Sequence, residues 1–273
     1  MSTQEGDWIV KGFIDIFKRV YQMPGDTKVV SKVLELFLLP RLASFGERNG
    51  YSLVLPAQQN FYPDATFISQ TDSSELYAVD VKSTYRVDKQ TVNGMTLGAF
   101  TGYFRDRASR KNVQFPYSGY RSHLVLGVIY SKNVSVEDTN PSRNSFAQSE
   151  MVNYTLDDLD RLISAIHNIQ FFVQPKYKIA SARPGSGNTR NIGSVTAIDQ
   201  LLNGTGPCTA LGEDVYDDYW MHYLNADMGR KIGSKPFYNN LTTYAAYKQQ
   251  GQQISIEQAR HLDLLDTGAE TSK

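Results

Sequence analysis

Leu76-Tyr77-Ala78-Val79-Asp80-Val81-Lys82-Ser83-Thr84-Tyr85 sets an acid and a lysine two residues apart inside a run of aromatic and β-branched side chains. Such side chains suit a pleated, half-buried surface, so the stretch reads as a strand. A strand repeats every two residues, and Asp80 and Lys82 therefore share a face. Working outward, Ala65 to Ile68 reads as a second strand, joined to the first by the turn-prone Thr71-Asp72-Ser73-Ser74. Ser52 to Leu55 adds a third piece, and the three form a meander. Pro63-Asp64 stands at the start of the hairpin strand, from where Asp64 can approach the face that holds Asp80 and Lys82. Leu124 to Tyr130 is an unbroken apolar run, the pattern of a strand buried on both faces and joining the same sheet.

Before the meander, Asp26-Thr27 can cap a helix whose apolar positions Val29, Val30, Val33 and Phe37 fall on one face, with Gly50 placed to stop it. Pro40 is expected to kink that helix or end its regular part. Glu35 projects opposite the Val29/Val33/Phe37 face. After the apolar run, 131–150 is rich in Ser, Asn and acids and reads as a surface insertion. A helix is expected from Thr155 to about His167, and a strand over Phe171 to Ala180. Pro184 to Ser194 holds too much glycine and asparagine for helix or strand and reads as a loop. Asp214 to Asn225 reads as helix, and the chain ends in a polar tail from Gln249. No internal repeat is visible.

The chain has 273 residues, 41% hydrophobic and 21% charged, as expected of one large globular domain with a sizeable core. Its apolar runs are far shorter than the roughly 20 residues of a membrane-spanning helix. Glu5 and Asp7 precede any apolar run, unlike a secretory leader, and a cytoplasmic location is the expectation. Cys208 is the only cysteine, which excludes an internal disulfide and a cysteine-built zinc site within one chain. The 28 basic residues equal the 28 acidic ones, which argues against nucleic-acid binding. Charge is uneven along the chain, however. Lys176, Lys178, Arg183 and Arg190 form one acid-free stretch, and Arg105, Arg107, Arg110, Lys111 and Arg121 outweigh Asp106 in another. Both stretches are candidate phosphate-facing surfaces, and both are equally readable as solvated loops.

Two carboxylates converging on one face, Asp64 and Asp80, can hold a hard divalent cation such as Mg²⁺ and leave its other positions to water and phosphate oxygens. Lys82 is then placed to stabilise the charge that builds on phosphorus, or to orient the attacking water. The same spacing also occurs on ordinary solvated strand faces, so taken alone it does not decide. The four histidines form no metal-protease or histidine-nuclease pattern. The glycine loop lacks the Gly-Lys-Ser/Thr of a Walker loop, and Arg190 occupies the third glycine position of a dinucleotide fingerprint. That loop is either a structural turn or a place where glycines let the backbone approach base edges while Asn188 bonds to them in a major groove.

Six segments, in order, resemble the EcoRV-like family of type II restriction endonucleases, within the PD-(D/E)xK nuclease superfamily. They are Asp26-Thr27-Lys28-Val29 with Glu35-Leu36-Phe37, Gln58-Gln59-Asn60-Phe61-Tyr62-Pro63-Asp64, Val79-Asp80-Val81-Lys82-Ser83-Thr84-Tyr85, Thr96-Leu97-Gly98, Gly185-Ser186-Gly187-Asn188-Thr189-Arg190-Asn191-Ile192-Gly193-Ser194, and Asp218-Tyr219-Trp220. The resemblance runs from about residue 24 to about 248 and is poor through 131–165.

It implies an α/β fold: a mixed β-sheet restriction-endonuclease-like core flanked by helices, with a small dimerisation region. Residues 1–248 would be the catalytic and DNA-binding domain, with 131–165 partly a surface insertion and 249–273 a polar tail. Asp64 and Asp80 would be metal ligands, Lys82 the catalytic lysine and Glu35 an auxiliary carboxylate at the metal site. Gln58, Gln59 and Asn60 would lie at the minor groove. Gly185, Ser186, Gly187, Asn188, Thr189, Arg190 and Asn191 would form the major-groove recognition loop, and Thr84 would lie near the DNA backbone. The activity implied is Mg²⁺-dependent hydrolysis of a short palindromic double-stranded DNA site, GATATC or a relative, leaving blunt ends with 5′-phosphates. The implied partners are a second copy of the chain and a cognate DNA methyltransferase in the host. Three positions depart from the family: Arg190 replaces a threonine, Phe61 a histidine and Ser83 a threonine, which puts the target sequence in question. A repair or junction nuclease with the same metal site, a DNA-binding protein that has lost catalysis, and a structural protein are the rival readings. The glycine loop disfavours the first, the intact acids and lysine the second, and only the neutral charge favours the third.

Overall fold

A computed structural model of the chain describes residues 1–4, 6–133, 154–185 and 190–250. Much of the expected insertion, 134–153, and the tail from 251 lie outside the described residues. Two short strands open the chain, β1 (Gly12–Ile14) and β2 (Val20–Gln22), paired as an antiparallel hairpin. Strands of this length carry too little periodicity to be found in sequence. Asp15 builds the turn between them, its carboxylate accepting from the Phe17 and Arg19 amides at 2.9 Å each.

Helix α1 (Thr27–Arg48) begins where expected, because Asp26 Oδ1 accepts from the Lys28 and Val29 amides at 2.9 and 3.1 Å. Gly50, with φ of 78°, stands just past its end. The helix does not end at Pro40 but continues through it to Arg48. The amide that proline lacks would have bonded to the Leu36 carbonyl, and Leu36 is 61% exposed, so water can serve there instead. Of the expected face Val30 is buried, in a stripe with Leu34 and Leu38, while Val29, Val33 and Phe37, one residue back, are half-buried. Both rows satisfy helical spacing, and only packing chooses between them. The rotation moves Glu35 from the far side of the helix to the flank of the buried stripe. Leu34→Ala would cost about 2–5 kcal/mol, the range for emptying a buried leucine site.

The meander forms as read. Strands β3 (Tyr51–Val54), β4 (Ala65–Ser69) and β5 (Leu76–Tyr85) pair antiparallel, with Ala65 opposite Val79 and Tyr51 opposite Ser69. Asp72 holds the β4–β5 turn by accepting from the Ser74 amide at 2.9 Å and its hydroxyl at 2.6 Å. Strand β6 (Thr96–Ala99) follows, then β7 (Tyr120–Lys132), which contains the apolar run and is buried without a break from Val125 to Tyr130. With β8 (Ile166–Pro175) these complete a mixed five-stranded sheet in the order β3-β4-β5-β7-β8.

Three expectations fail in the second half. The helix from Thr155 is a single 3-10 stretch, Leu156–Arg161, with Thr155 and Asp158 forming a capping box, after which the chain extends into β8. The strand expected over Phe171 to Ala180 is interrupted by a one-turn helix, α2 (Lys176–Ile179), and resumes as β9 (Ala180–Pro184). The end of the glycine segment is strand β10 (Asn191–Ser194), in a three-stranded sheet ordered β6-β10-β9. Gly193 is tolerated there because the neighbouring strand comes close: an added Cβ would stand 2.8 Å from the Arg183 carbonyl oxygen. Helices α3 (Ile198–Asn203), α4 (Glu213–Met221), α5 (Ala226–Lys231) and α6 (Leu241–Gln249) complete the described chain, α4 starting one residue before the expected Asp214 and ending at Met221 rather than Asn225. No helix among the described residues is long and apolar enough to cross a membrane.

The chain divides into two compact units, and the boundaries fall within α1, β5, β7 and β8 and between β5 and β6. The first holds Met1–Arg41, Lys82–Asn93 and Gly127–Phe171, and buries Trp8, Met23, Val30, Leu34, Ile129 and Ile166. The second holds Leu42–Val81, Gly94–Leu126 and Phe172–Lys273. In it the end of α1 lies on the meander, with Phe45 edge-on to Phe67 at 6.2 Å and no room for a side chain at Gly46.

Candidate active site

Asp64 precedes β4 by one residue. Continuing the register that sets Ala65 opposite Val79 places Asp64 opposite Asp80. Directly opposed residues of an antiparallel pair project from the same face, with Cβ atoms about 4.5–5.5 Å apart. Asp64 Oδ2 also accepts from the Val81 amide at 2.7 Å, which ties its carboxylate to β5. Asp80 is 4% exposed. The Asp64 carboxylate is thereby fixed at the residue that separates buried Asp80 from Lys82 on β5. Lys82 is the next residue on that face of β5 and is half-buried. Glu35 belongs to the first unit, where Lys32 Nζ lies 2.8 Å from its Oε1.

Among the described residues no group of three or more His, Cys, Asp or Glu side chains is placed to hold a metal ion. The donor set of the hairpin is therefore the carboxylate pair. It fits a hard, oxygen-seeking divalent cation of the Mg²⁺ type, which is commonly held by one or two carboxylates and completes its shell with water and phosphate oxygens. It does not suit a soft metal.

Sequence reading missed the aromatic cluster that starts two residues before Asp64. Tyr62 stacks on Tyr103 at 5.2 Å and on Tyr117 at 5.8 Å, and Tyr117 stacks on His123 at 3.7 Å. The Tyr62 hydroxyl lies 2.8 Å from His123 Nδ1. Burial raises the pKa of both Tyr62 and Tyr103; Tyr117 and then Asp80 add to the rise at Tyr62, and Asp80 adds to it at Tyr103, with a smaller contribution from Asp64. These phenols stay neutral and can only donate or accept hydrogen bonds. Burial also drives the His123 pKa well below its ordinary value, helped by the positive charges of Lys176 and Arg107.

Two of the candidate phosphate-facing basic residues are in fact internal. Lys176 is 2% exposed, with its ammonium 4.4 Å from the centre of the Tyr62 ring, and Arg105 is 2% exposed, with Nη2 donating to the Tyr223 carbonyl at 2.6 Å. Arg107 is engaged with Asp217 at 2.8 Å and lies over Phe104 and Tyr117. Counting charges along a sequence cannot separate these from solvated cations, because the carbon stems of Lys and Arg pack well on rings.

Gln58, Gln59 and Asn60 are exposed in a turn closed by the Phe61 amide on the Gln58 carbonyl at 3.0 Å. Thr84 is 3% exposed and its hydroxyl donates to the Asn93 carbonyl, so its polar atom is used inside the protein. Gly185 and Asn191 frame the glycine loop, the Gly185 amide donating to the Asn191 carbonyl at 2.8 Å. The Arg190 carbonyl accepts from the Phe100 amide at 2.9 Å. Ser186, Gly187, Asn188 and Thr189 lie outside the described residues.

A family model described as restriction endonuclease EcoRV matches residues 4–249. The type II restriction enzyme EcoRV of Escherichia coli is 30% identical over 244 residues, which cover 89% of this chain and 92% of that enzyme.

Proposed function

Since the chain belongs to the EcoRV restriction endonuclease family, and is thereby a type II site-specific deoxyribonuclease, we propose that it acts as a homodimer cutting both strands of a palindromic site with Mg²⁺ as cofactor. The site is GATATC or a relative, and the cut is blunt with 5′-phosphate ends. The observation that supports the catalytic part is the Val81 amide donating to Asp64 Oδ2 at 2.7 Å, at the residue between Asp80 and Lys82 on β5.

Asp64 and Asp80 hold the cation, and Glu35 serves as an auxiliary carboxylate. A divalent cation bound there would neutralise charge building on the phosphate and lower the pKa of the attacking water. The Val81 amide fixes the Asp64 carboxylate, and burial keeps bulk water from competing for Asp80. The Lys82 ammonium orients the attacking water or stabilises the developing charge on phosphorus. Water attacks phosphorus, the 3′-oxygen leaves, and the phosphate stays on the 5′ end.

Specificity is assigned to two segments. The exposed Gln58, Gln59 and Asn60 amides face the minor groove. Gly185, Ser186, Gly187, Asn188, Thr189, Arg190 and Asn191 enter the major groove, where Asn188 bonds to a base edge and Arg190 to phosphate. Dimerisation is assigned to the first unit. There the Asp15 turn displays Ile16 at 90% and Phe17 at 68% exposure, beside Phe13 at 46% and Ile14 at 57%. A contiguous apolar surface of this kind on a soluble protein calls for a partner. A host carrying such an enzyme also needs a DNA methyltransferase that protects the same site.

Digestion of plasmid and phage DNA with and without Mg²⁺, followed by sequencing of the ends, tests the proposal. Discrete fragments with blunt, symmetric ends are expected only with the metal. Random degradation, or staggered and non-palindromic ends, would refute it.

A further inference from the structure

We infer that Gln114 is a positioning residue for Asp64, clasping the chain on both sides of that carboxylate and closing the neck of the loop over 56–64. The inference rests on reading Asp64 as a metal ligand, and brings in a residue from another segment. The β3–β4 register ends with Val54 opposite Thr66, and Gln114 bridges the two chains at that end. Its Oε1 accepts from the Thr66 hydroxyl at 2.7 Å, and its Nε2 donates to the Leu55 carbonyl at 3.0 Å. Its backbone amide donates to the Tyr62 carbonyl at 2.8 Å, while the Tyr62 amide donates to the Asn112 carbonyl at 3.1 Å. These two bonds make a parallel bridge between Tyr62 and buried Val113. Tyr62 and Thr66 stand two residues before and two residues after Asp64. All of these residues belong to the second unit.

The two side-chain bonds ask for an amide. The Leu55 carbonyl needs a donor, and the Thr66 hydroxyl, wholly buried and out of reach of bulk water, donates to an acceptor. Turning the amide over would set Oε1 against the Leu55 carbonyl oxygen, so the bonds also fix which atom faces which strand. A glutamate keeps the acceptor and loses the donor, and a methionine keeps the shape and loses both. Without the clasp the loop still has the bond from the Phe61 amide to the Gln58 carbonyl and the stacking of Tyr62 on Tyr103 and Tyr117. It would fold, but with its neck unfastened. A shift of about 1 Å in a catalytic group can cost about 10²-fold in rate, so the fastening bears on Asp64 directly.

Single-turnover cleavage of plasmid DNA across a Mg²⁺ titration, with the full chain, tests the role. Gln114→Met should lower the rate about 10- to 100-fold and raise the half-saturating Mg²⁺ concentration at least about 3-fold. Its Kd for a duplex that the wild type leaves uncut, measured in EDTA, should stay within about 2-fold, since phosphate contacts supply that binding. Its Tm should fall by about 2–4 °C for each lost bond. Gln114→Glu should lose at least as much rate as Gln114→Met, because a carboxylate oxygen would face the Leu55 carbonyl. Thr66→Val removes one bond of the clasp and should show the same Mg²⁺ shift to a smaller degree. A Gln114→Met enzyme with the wild-type rate and Mg²⁺ dependence, whatever its Tm, overturns the inference and leaves Gln114 a structural residue. A rate loss with no Mg²⁺ shift also overturns it, since the clasp would then act elsewhere than on the metal ligand. Should Gln114→Met fail to fold, Thr66→Val decides, and an unchanged Mg²⁺ dependence there overturns the inference. Asp64→Ala separates the two levels. If it cuts with the wild-type Mg²⁺ dependence, the reading of Asp64 as a metal ligand fails; if it is inactive while Gln114→Met matches the wild type, only the positioning inference fails.

Discussion

In the first unit Ile16 is 90% and Phe17 68% exposed, while in the second Lys176 and Arg105 are each 2% exposed. Each unit reverses the ordinary partition of side chains, apolar groups outside in one and charges inside in the other. Both reversals cost free energy in an isolated domain, and each points to what offsets it. The exposed apolar turn is rigidly built by Asp15 and is complete except for a covering surface. Of the buried charges, Arg105 donates to the Tyr223 carbonyl and lies over Phe100, and Lys176 lies over the rings of Tyr62 and Tyr117. In our proposal association belongs to the first unit and the carboxylate pair to the second.

The largest effect expected comes from removing the charge that the second unit is organised around. Asp80→Ala should cut the metal-dependent cleavage rate by at least about 10³-fold, with Tm unchanged or raised because a buried acid beside another acid is lost. Single-turnover kinetics with a thermal melt checks both, and near-normal cutting would break the assignment. Lys82→Ala should lose a comparable factor while retaining Ca²⁺ binding, since a lysine contributes to the transition state and not to coordination.

The next effect belongs to the first unit. Ile16→Asp with Phe17→Asp should weaken self-association by about 100-fold, roughly 3 kcal/mol, without lowering Tm of the monomer, as both side chains are exposed. Sedimentation against concentration measures it. An unchanged association constant would show that this apolar turn is not the dimer surface.

A smaller effect tests the buried polar interior through His123, which is surrounded by Tyr62, Tyr117, Lys176 and Arg107. Burial first, then the two cations, hold its pKa well below the ordinary 6.5. Above that pH the ring is neutral in both the folded and the unfolded chain and stability does not respond. Below it the unfolded chain takes up a proton that the folded one refuses, so stability falls with pH from 6.5 towards the folded pKa. His123→Phe should flatten the change in Tm between about pH 7 and about pH 5.5, a window above the titration of ordinary carboxylates. An equal slope in the variant would place the acid sensitivity elsewhere.

The smallest effect is a reference. Ser164 in the first unit is 1% exposed and its hydroxyl donates to the Trp8 carbonyl at 2.7 Å. Ser164→Ala should cost about 1 kcal/mol, the ordinary worth of a buried neutral hydrogen bond, or about 2–4 °C in Tm, with cleavage unaffected. A several-fold larger loss would mean that the interior of the first unit is as specialised as that of the second.

Local patterns made much of this molecule legible. The alternation and turn chemistry from Ser52 to Tyr85 specified three strands in order, and Asp26 and Gly50 marked both ends of α1, because such signals act within a few residues. The same hairpin put Asp64 just before β4, where it accepts from the Val81 amide of β5, and the motifs at 58–64, 79–85 and 185–194 carried the family. What tertiary structure decided was the choice among locally equivalent options. Two helix rows in α1 had the same spacing, and packing buried the one led by Leu34 rather than the one led by Val33. The segments at 155–167 and 171–194 held capping and β-forming signals, and contacts from elsewhere in the chain broke them into a 3-10 turn, a one-turn helix and edge-to-edge strands. Lys176 and Arg105 are identical in sequence to any solvated cation. Their burial is settled by rings contributed from segments far away along the chain, since the environment of a charge is a property of the folded neighbourhood and not of the residue.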